Sequence, residues 1–206
     1  MRLALTLLAL TLAAPASARG GIVHVRLDTT LGPITLALDA RHAPKTVANF
    51  MAYVDDRRFD GIDFYRAARR ASAPTYGFVQ GGIGTDPRRI LPPYPLETTA
   101  MTGIRHTDGT ISMARRSDPN SAGGNFFITI GAIPSMDARP GAPGYAAFGH
   151  VVGGMATVKK ILAQPIGGRM GGQTILHPIR IVHAVRLDGK AKPTGLVKPW
   201  LEKTKK

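Results

Sequence analysis

The 206-residue sequence predicts a mainly β protein, a closed antiparallel barrel that carries two helices. Three observations carry this reading. Seven or eight short runs of β-branched and apolar residues recur along the chain, each bounded by Gly, Pro, Asp or Asn. Only two windows place apolar residues at helical spacing. Strand and crossover helix never alternate as a parallel sheet requires, and closing an antiparallel sheet into a barrel removes its exposed edges.

The elements follow in order. Residues 22–27 (IVHVRL) and 34–38 (ITLAL), separated by Thr29, Thr30, Leu31, Gly32 and Pro33, read as a hairpin. The segment APKTVANFMAYVDD sets Ala43, Val47, Phe50, Met51 and Val54 on one helical face, with Pro44 suited to a first helical position. Further strands are predicted at 62–66, 76–80, 110–114, 126–130 and 146–151. In GMATVKKILAQ, Met155, Val158, Ile161 and Leu162 share a helical face before Pro165 stops it. The last strand spans 174–187, with a break near Pro178. Two long irregular stretches, 81–104 and 130–144, exceed ordinary connections and are where function is expected.

At the N-terminus Met1 and Arg2 precede an apolar run over 3–14, then Pro15 and the small residues Ala16, Ser17 and Ala18. This order reads as a signal peptide cleaved after Ala18, which implies an exported, periplasmic mature protein. The run is too short for a membrane anchor, and no second span follows. Three parts are therefore expected: a leader over 1–18, a globular domain over 19–188 and a basic tail over 189–206. The tail, GKAKPTGLVKPWLEKTKK, has six Lys, one Glu and no usable period, so it reads as a flexible, solvated extension.

Composition narrows the chemistry. The chain has no Cys, which excludes disulfides, thiol nucleophiles and thiolate metal sites. The net charge is +14, and losing the leader removes one Arg to leave +13, so anionic partners are attracted at low salt. Aromatics are only 6% and no recognition motif accompanies the basic residues, so nucleic-acid binding is not expected. Metalloprotease, phosphate-loop, nucleophile-elbow and EF-hand patterns are absent, and the six His are scattered without metal-ligand spacing. No pattern argues for a Ser-His-Asp triad, although sequence alone leaves a spatial one open.

One set of segments stands out by its order: TTLGPITLALDARHAPKTVANF, DGIDFYR, FVQGG, DGTISMARRSDPNSAGGNFFIT and YAAFGHVVGGM. Together they resemble the cyclophilin family of peptidyl-prolyl isomerases over about 29–161, with further agreement in the last strand. The resemblance implies an eight-stranded barrel capped by two helices, no cofactor, proline-containing polypeptides as substrates and a monomer. Carried over residue by residue, it makes Arg66 the catalyst and Gln80 its partner. The proline-binding groove is then lined by Phe78, Met113, Ala114, Arg115, Asn125, Phe127, Met136 and Tyr145.

The chain departs from the family at several of these positions. RAARRASAPTYGFVQGG replaces a shorter loop, and Phe78 takes the place of the pocket-wall aromatic. Asn125 is one methylene shorter than the family's Gln. Ser135 stands where animal members have a Trp that meets cyclosporin, so weak binding of that drug is expected. Arg115 and Arg116 replace smaller neutral residues at the groove edge and favour acidic segments. Two other readings stay open: a low-activity binding module or holdase on the same barrel, and a surface binder of nucleic acid or anionic lipid.

Adjacent strand residues face opposite sides, so one ring of the Phe126/Phe127 pair must pack in the core. The chemistry assigned to Arg66 needs no nucleophile or metal. Twisting an X-Pro bond breaks amide resonance, a barrier of about 18–20 kcal/mol, and returns a lone pair to the proline nitrogen. A fixed guanidinium that donates to that nitrogen stabilises the twisted state more than the planar one.

Overall fold

The computed structural model describes residues 21–201, so the expected leader and the last five tail residues lie outside it. Nine strands appear in chain order: β1 (Ile22–Thr29), β2 (Gly32–Asp39), β3 (Ile62–Arg70), β4 (Ala73–Gly82), β5 (Thr110–Met113), β6 (Asn125–Ile130), β7 (Ala146–Gly153), β8 (Ile166–Gly167) and β9 (Thr174–Arg186). Eight of them pair in the order β1-β2-β7-β5-β6-β4-β3-β9, and a β1–β9 ladder closes the ring. All ladders are antiparallel, and the two-residue β8 hangs on β9. The predicted closed eight-stranded barrel is the one observed.

The helices are α1 (Pro44–Asp55), α2 (Thr99–Thr102), α3 (Met155–Leu162) and α4 (Arg169–Gly172). The two longer ones, α1 and α3, lie where helical spacing predicted them. Both α2 and α4 are single turns, too short to leave a periodic signal. Within α4, Met170 and Gly171 have left-handed backbone, so it is a tight turn more than a helix. No helix among the described residues is long and apolar enough to cross a membrane.

Local chemistry explains the frame. On β2, Ile34, Leu36 and Leu38 alternate with polar or small residues, and all three are fully buried. The α1 N-terminus has no side-chain cap of its own. The Glu97 carboxylate supplies one instead, accepting from the N–H groups of Lys45 (3.1 Å) and Thr46 (2.8 Å), where the helix dipole favours negative charge. Phe50 of α1 then packs with Phe59, Phe126 and Phe148 at ring separations of 5.0–5.5 Å. Each fully buried ring of this kind contributes about 1.5–3 kcal/mol.

Three regions differ from the sequence reading. The stretch read as a long replacement loop is a longer hairpin: β3 and β4 stay paired out to Arg70 opposite Ala73, leaving Ala71 and Ser72 as the turn. Gly77 permits this pairing at φ +144°, since a Cβ there would lie 1.9 Å from the Ala68 carbonyl oxygen. Arg69 secures the hairpin by donating to the Leu162 carbonyl at the end of α3 (2.8 Å). Next, β9 runs through Pro178, but its ladder with β3 jumps from Ile179 opposite Phe64 to Thr174 opposite Arg66, so the proline sits in a bulge where no ladder donor is needed.

The third difference is the tail. Residues 189–201, expected to extend into solvent, run back over the C-terminal end of α1. The N–H groups of Lys192 and Thr194 donate to Asp55 (3.1 Å) and Asp56 (2.8 Å), and Lys198 approaches Asp56 at 3.4 Å. The reason is electrostatic. Helix α1 ends in two carboxylates at the negative pole of its dipole; Arg186 pairs with Asp55 and Arg58 with Asp56, and the tail adds backbone donors to both and the Lys198 ammonium to Asp56.

Candidate active site

The site is built on one transverse row of the barrel wall. Arg66 on β3 lies opposite Gln80 on β4, Gln80 opposite Phe127 on β6, and Phe127 opposite Ser112 on β5. Register partners point to the same face, so four residues scattered over 62 positions of sequence share the outward face of the wall, with Arg66 and Gln80 half-buried and Phe127 and Ser112 covered by the segments that pack on it. A register shift between Phe64 and Arg66 re-aims β3 so that Tyr65 and Arg66 both meet Gln80, while Phe64 stays inside. The adjacent row is internal: Gly81, Phe126 and Met113 are partners facing the core.

Arg66 is held on two sides. Its Nε and Nη2 donate to Gln173 Oε1 (2.9 and 2.7 Å), and its Nη1 donates to Gln80 Oε1 (3.1 Å). The hydrogen bonds continue in one direction. Gln80 Nε2 donates to the Tyr65 hydroxyl (2.8 Å), which donates to Asn125 Oδ1 (3.1 Å). Burial pushes the Tyr65 phenol above its usual range, so it remains a neutral donor. With three of the five guanidinium N–H groups engaged by glutamines, the others are left for a ligand.

Beside the guanidinium is an aromatic cup. Phe127 forms its floor, with Phe78 at 5.4 Å, Tyr145 edge-on at 5.5 Å and the His106 ring stacked at 5.8 Å. The Arg66 Cζ lies 5.0 Å from the Phe78 ring centre, so one aromatic borders both the cup and the cation. Met136 is half-buried on a 3-10 turn, and its carbonyl accepts from the Tyr145 N–H (3.1 Å). A groove of about 690 Å³ adjoins, bordered by Tyr65, Gln80, Ile90, Ala114, Asn125 and Met170. A second hollow of about 630 Å³, between Tyr76, Ile130, Lys159 and Leu162, includes none of the residues around Arg66.

Under the cup the fold assembles a Ser-His-Asp line that no motif announced. Asp137 Oδ1 accepts from His106 Nδ1 (2.7 Å), and His106 Nε2 faces Ser112 Oγ (2.9 Å). Ser112 is 0% exposed and His106 1%, so no substrate carbonyl reaches the hydroxyl. The line is a support for Phe127 and for the turn that carries Met136. Burial pushes the His106 imidazole below its usual range despite the nearby carboxylate, and the neutral ring donates from Nδ1 and accepts at Nε2.

A pH dependence follows. A depressed histidine contributes stability in full above its unfolded value of 6.5 and loses it as pH falls below 6.5 toward the folded value, because the unfolded chain binds the proton more readily. Denaturant unfolding at pH 7.5, 6 and 5 is expected to show wild type losing more stability than His106→Asn. Equal slopes for the two would contradict this assignment. Subtracting the variant also removes the parallel contribution of His150, which burial lowers too.

One residue expected to line the groove lies inside the barrel, and two others, Arg115 and Asn125, border the groove with their side chains already engaged within the chain. Met113 is 1% exposed and inside the barrel, because it pairs with Phe126, and alternation gives the outer position to Ser112. Arg115 donates from Nε to the Gly144 carbonyl (2.9 Å) and from Nη1 to that of Arg116 (2.8 Å) and lies over Tyr145 at 5.0 Å, so it latches the cup's wall while it and the exposed Arg116 both border the groove. Asn125 has both ends committed to Gly84, accepting from its N–H (2.8 Å) and donating to its carbonyl (2.9 Å), which its short side chain can reach. Arg66, Phe78, Gln80, Ala114, Phe127, Met136 and Tyr145 lie around the cup and groove. Sequence reasoning missed Gln173, Tyr65, His106 and Asp137. Only Tyr65, beside Arg66 in DFYR, carried any local signal.

A fixed cation beside an apolar cup, with the Ser112 hydroxyl of the Ser-His-Asp line buried, defines a site that holds a small ring and acts on it electrostatically. Comparison with known proteins gives that class its family. Residues 24–186 match the family described as cyclophilin type peptidyl-prolyl cis-trans isomerase. Peptidyl-prolyl cis-trans isomerase A of Dickeya dadantii is 38% identical over 156 residues, covering 76% of this chain and 80% of that one. The isomerase cyp18 of Streptomyces antibioticus is 34% identical over 164 residues, covering 78% and 96%. A cyclophilin-type isomerase structure from Cryptosporidium parvum matches the fold with a TM-score of 0.66 at 22% identity, covering 82% of this chain and 99% of that one. The chain therefore belongs to the cyclophilin-type peptidyl-prolyl cis-trans isomerases, and its activity is rotation of the peptide bond before proline.

Proposed function

We propose that the cup formed by Phe127, Phe78, Tyr145 and Met136 holds the pyrrolidine ring of a proline in a polypeptide substrate, and that Arg66 catalyses rotation of the preceding bond. The observation that carries this is the doubly anchored guanidinium at the rim of the cup. As the bond twists, the imide nitrogen becomes pyramidal and a remaining Arg66 N–H donates to its lone pair. Gln80 and Gln173 make that donor preorganised, so it costs little reorganisation at the moment of reaction. A rate gain of about 10⁵ requires roughly 7 kcal/mol, within the reach of positioning and one charged donor together. Proline-containing substrates fit a related observation: the Cryptosporidium parvum isomerase was also crystallised in the presence of the dipeptide Ala-Pro.

The enzyme is proposed to be a periplasmic monomer that assists the folding of other exported proteins, a reading supported by the leader-like order of residues 1–18. The direct test is isomerisation of a proline tetrapeptide by the mature chain. Rates at the uncatalysed background would overturn the proposal in favour of a binding module. Because Ser135 is exposed and small where animal members have a Trp, cyclosporin is expected to inhibit only weakly. Submicromolar inhibition in the same assay would contradict that expectation.

A further inference from the structure

We infer that residues 189–201 form a strap that positions the outer wall of the substrate groove, with Trp200 as its closing contact. The inference rests on the isomerase reading of the groove and assigns it a positioning residue outside the cup. The wall in question is the segment 86–93, which contributes Asp86, Pro87, Ile90, Leu91 and Pro93 to the groove. It has little regular structure of its own. Its central residue, Arg89, is instead tied down from beneath.

The tie is reciprocal. Arg89 Nη1 donates to the carbonyls of Arg58 (2.7 Å) and Asp60 (2.8 Å), while Arg58 Nη1 donates to the Arg89 carbonyl (3.1 Å). Arg58 is almost fully buried, with its Nε on Asp56 at 3.0 Å. Arg89 is partly buried and has Asp86 at 3.5 Å, so each guanidinium has one carboxylate at its edge while its flat face is open to an aromatic ring. The strap supplies that ring. Trp200 spreads its ring over both, 4.5 Å from the Arg58 Cζ and 5.4 Å from that of Arg89, and its Nε1 donates to the Arg57 carbonyl (3.3 Å). Thr194 secures the strap upstream through its N–H on Asp56 (2.8 Å). One continuous set of contacts thus joins the tail, the Asp56–Arg58 pair, Arg89 and the groove wall.

A strap of this kind affects ligands that reach the wall and leaves the chemistry in the cup alone. Trp200 is the only tryptophan, so its emission reports the contact directly. The test compares wild type, Trp200→Ala and Trp200→Phe on two substrates, a short peptide filling only the cup and one extended by three residues on each side of the proline. Trp200→Ala is expected to raise KM for the extended peptide roughly three- to tenfold, the scale of a lost cation–π contact, with kcat and the short peptide's KM unchanged. Trp200→Phe, which keeps an aromatic face, restores most of it. In wild type the extended peptide shifts the tryptophan emission and the short one does not.

An unchanged ratio of the two KM values in Trp200→Ala, even with a lowered Tm, overturns the inference and leaves the strap a purely structural feature. Should wild type turn over neither peptide, the isomerase reading fails separately. The strap is then judged by calorimetric binding of the extended peptide, where equal Kd for wild type and Trp200→Ala overturns it.

Discussion

Arg66→Ala is expected to lower kcat/KM for a proline tetrapeptide roughly 10²-fold, or about 2.7 kcal/mol, without unfolding the barrel. The side chain is half-buried on the outer wall, and its partners there are Gln80, Gln173 and Phe78, which lie outside the core cluster, so its removal leaves the interior intact. The loss should fall mainly on kcat, because the guanidinium meets a lone pair that exists only in the twisted state. Gln173→Ala provides the graded comparison. With Gln80 still in place the cation is present but less fixed, and a loss of about tenfold in kcat is expected. Stopped-flow isomerisation checks both, with circular dichroism to verify folding. Full activity in Arg66→Ala would leave this site without its catalyst.

The second large effect separates two neighbours. Phe126→Ala is expected to cost about 3–5 kcal/mol of stability, because the ring is fully buried against Phe50, Phe59 and Phe64 at 5.5–5.7 Å and the rigid barrel cannot close over the gap. In a chain of this size that lowers Tm by on the order of 10 °C. Phe127→Ala removes the floor of the cup, so its larger effect is on kcat/KM, by at least about tenfold, with a smaller loss of stability. Thermal unfolding and isomerisation of the two variants should therefore rank them in opposite order. The same ranking in both measurements would refute the assignment of inner and outer rings.

That opposition was readable in the sequence as a necessity, since adjacent strand residues cannot share a face, but the sequence did not say which ring was which. Register answers it. Phe127 pairs with Gln80 and Ser112, whereas Phe126 pairs with Gly81 and Met113, and the same pairing moves Met113 from the expected groove lining to the core. Asn125 and Arg115 also shift in meaning. The family resemblance made each a candidate for lining the groove, and each does border it, yet each also finds a carbonyl partner in its own chain, Gly84 for one and Gly144 for the other.

By itself the sequence determined the strands, both longer helices, the closed barrel and the place of Arg66. The elements rest on local periodicity and turn chemistry, which a chain carries in its own order of residues, and Arg66 on the resemblance of DFYR and its companion segments to a family. Only the tertiary structure decided what holds Arg66, since Gln173 lies 107 residues away, and only it decided that a Lys-rich tail folds back onto Asp55 and Asp56. Hydrogen bonds and ion pairs extend only a few ångströms and follow no sequence period. Their partners are therefore settled by strand register and barrel closure, once distant segments have been brought side by side.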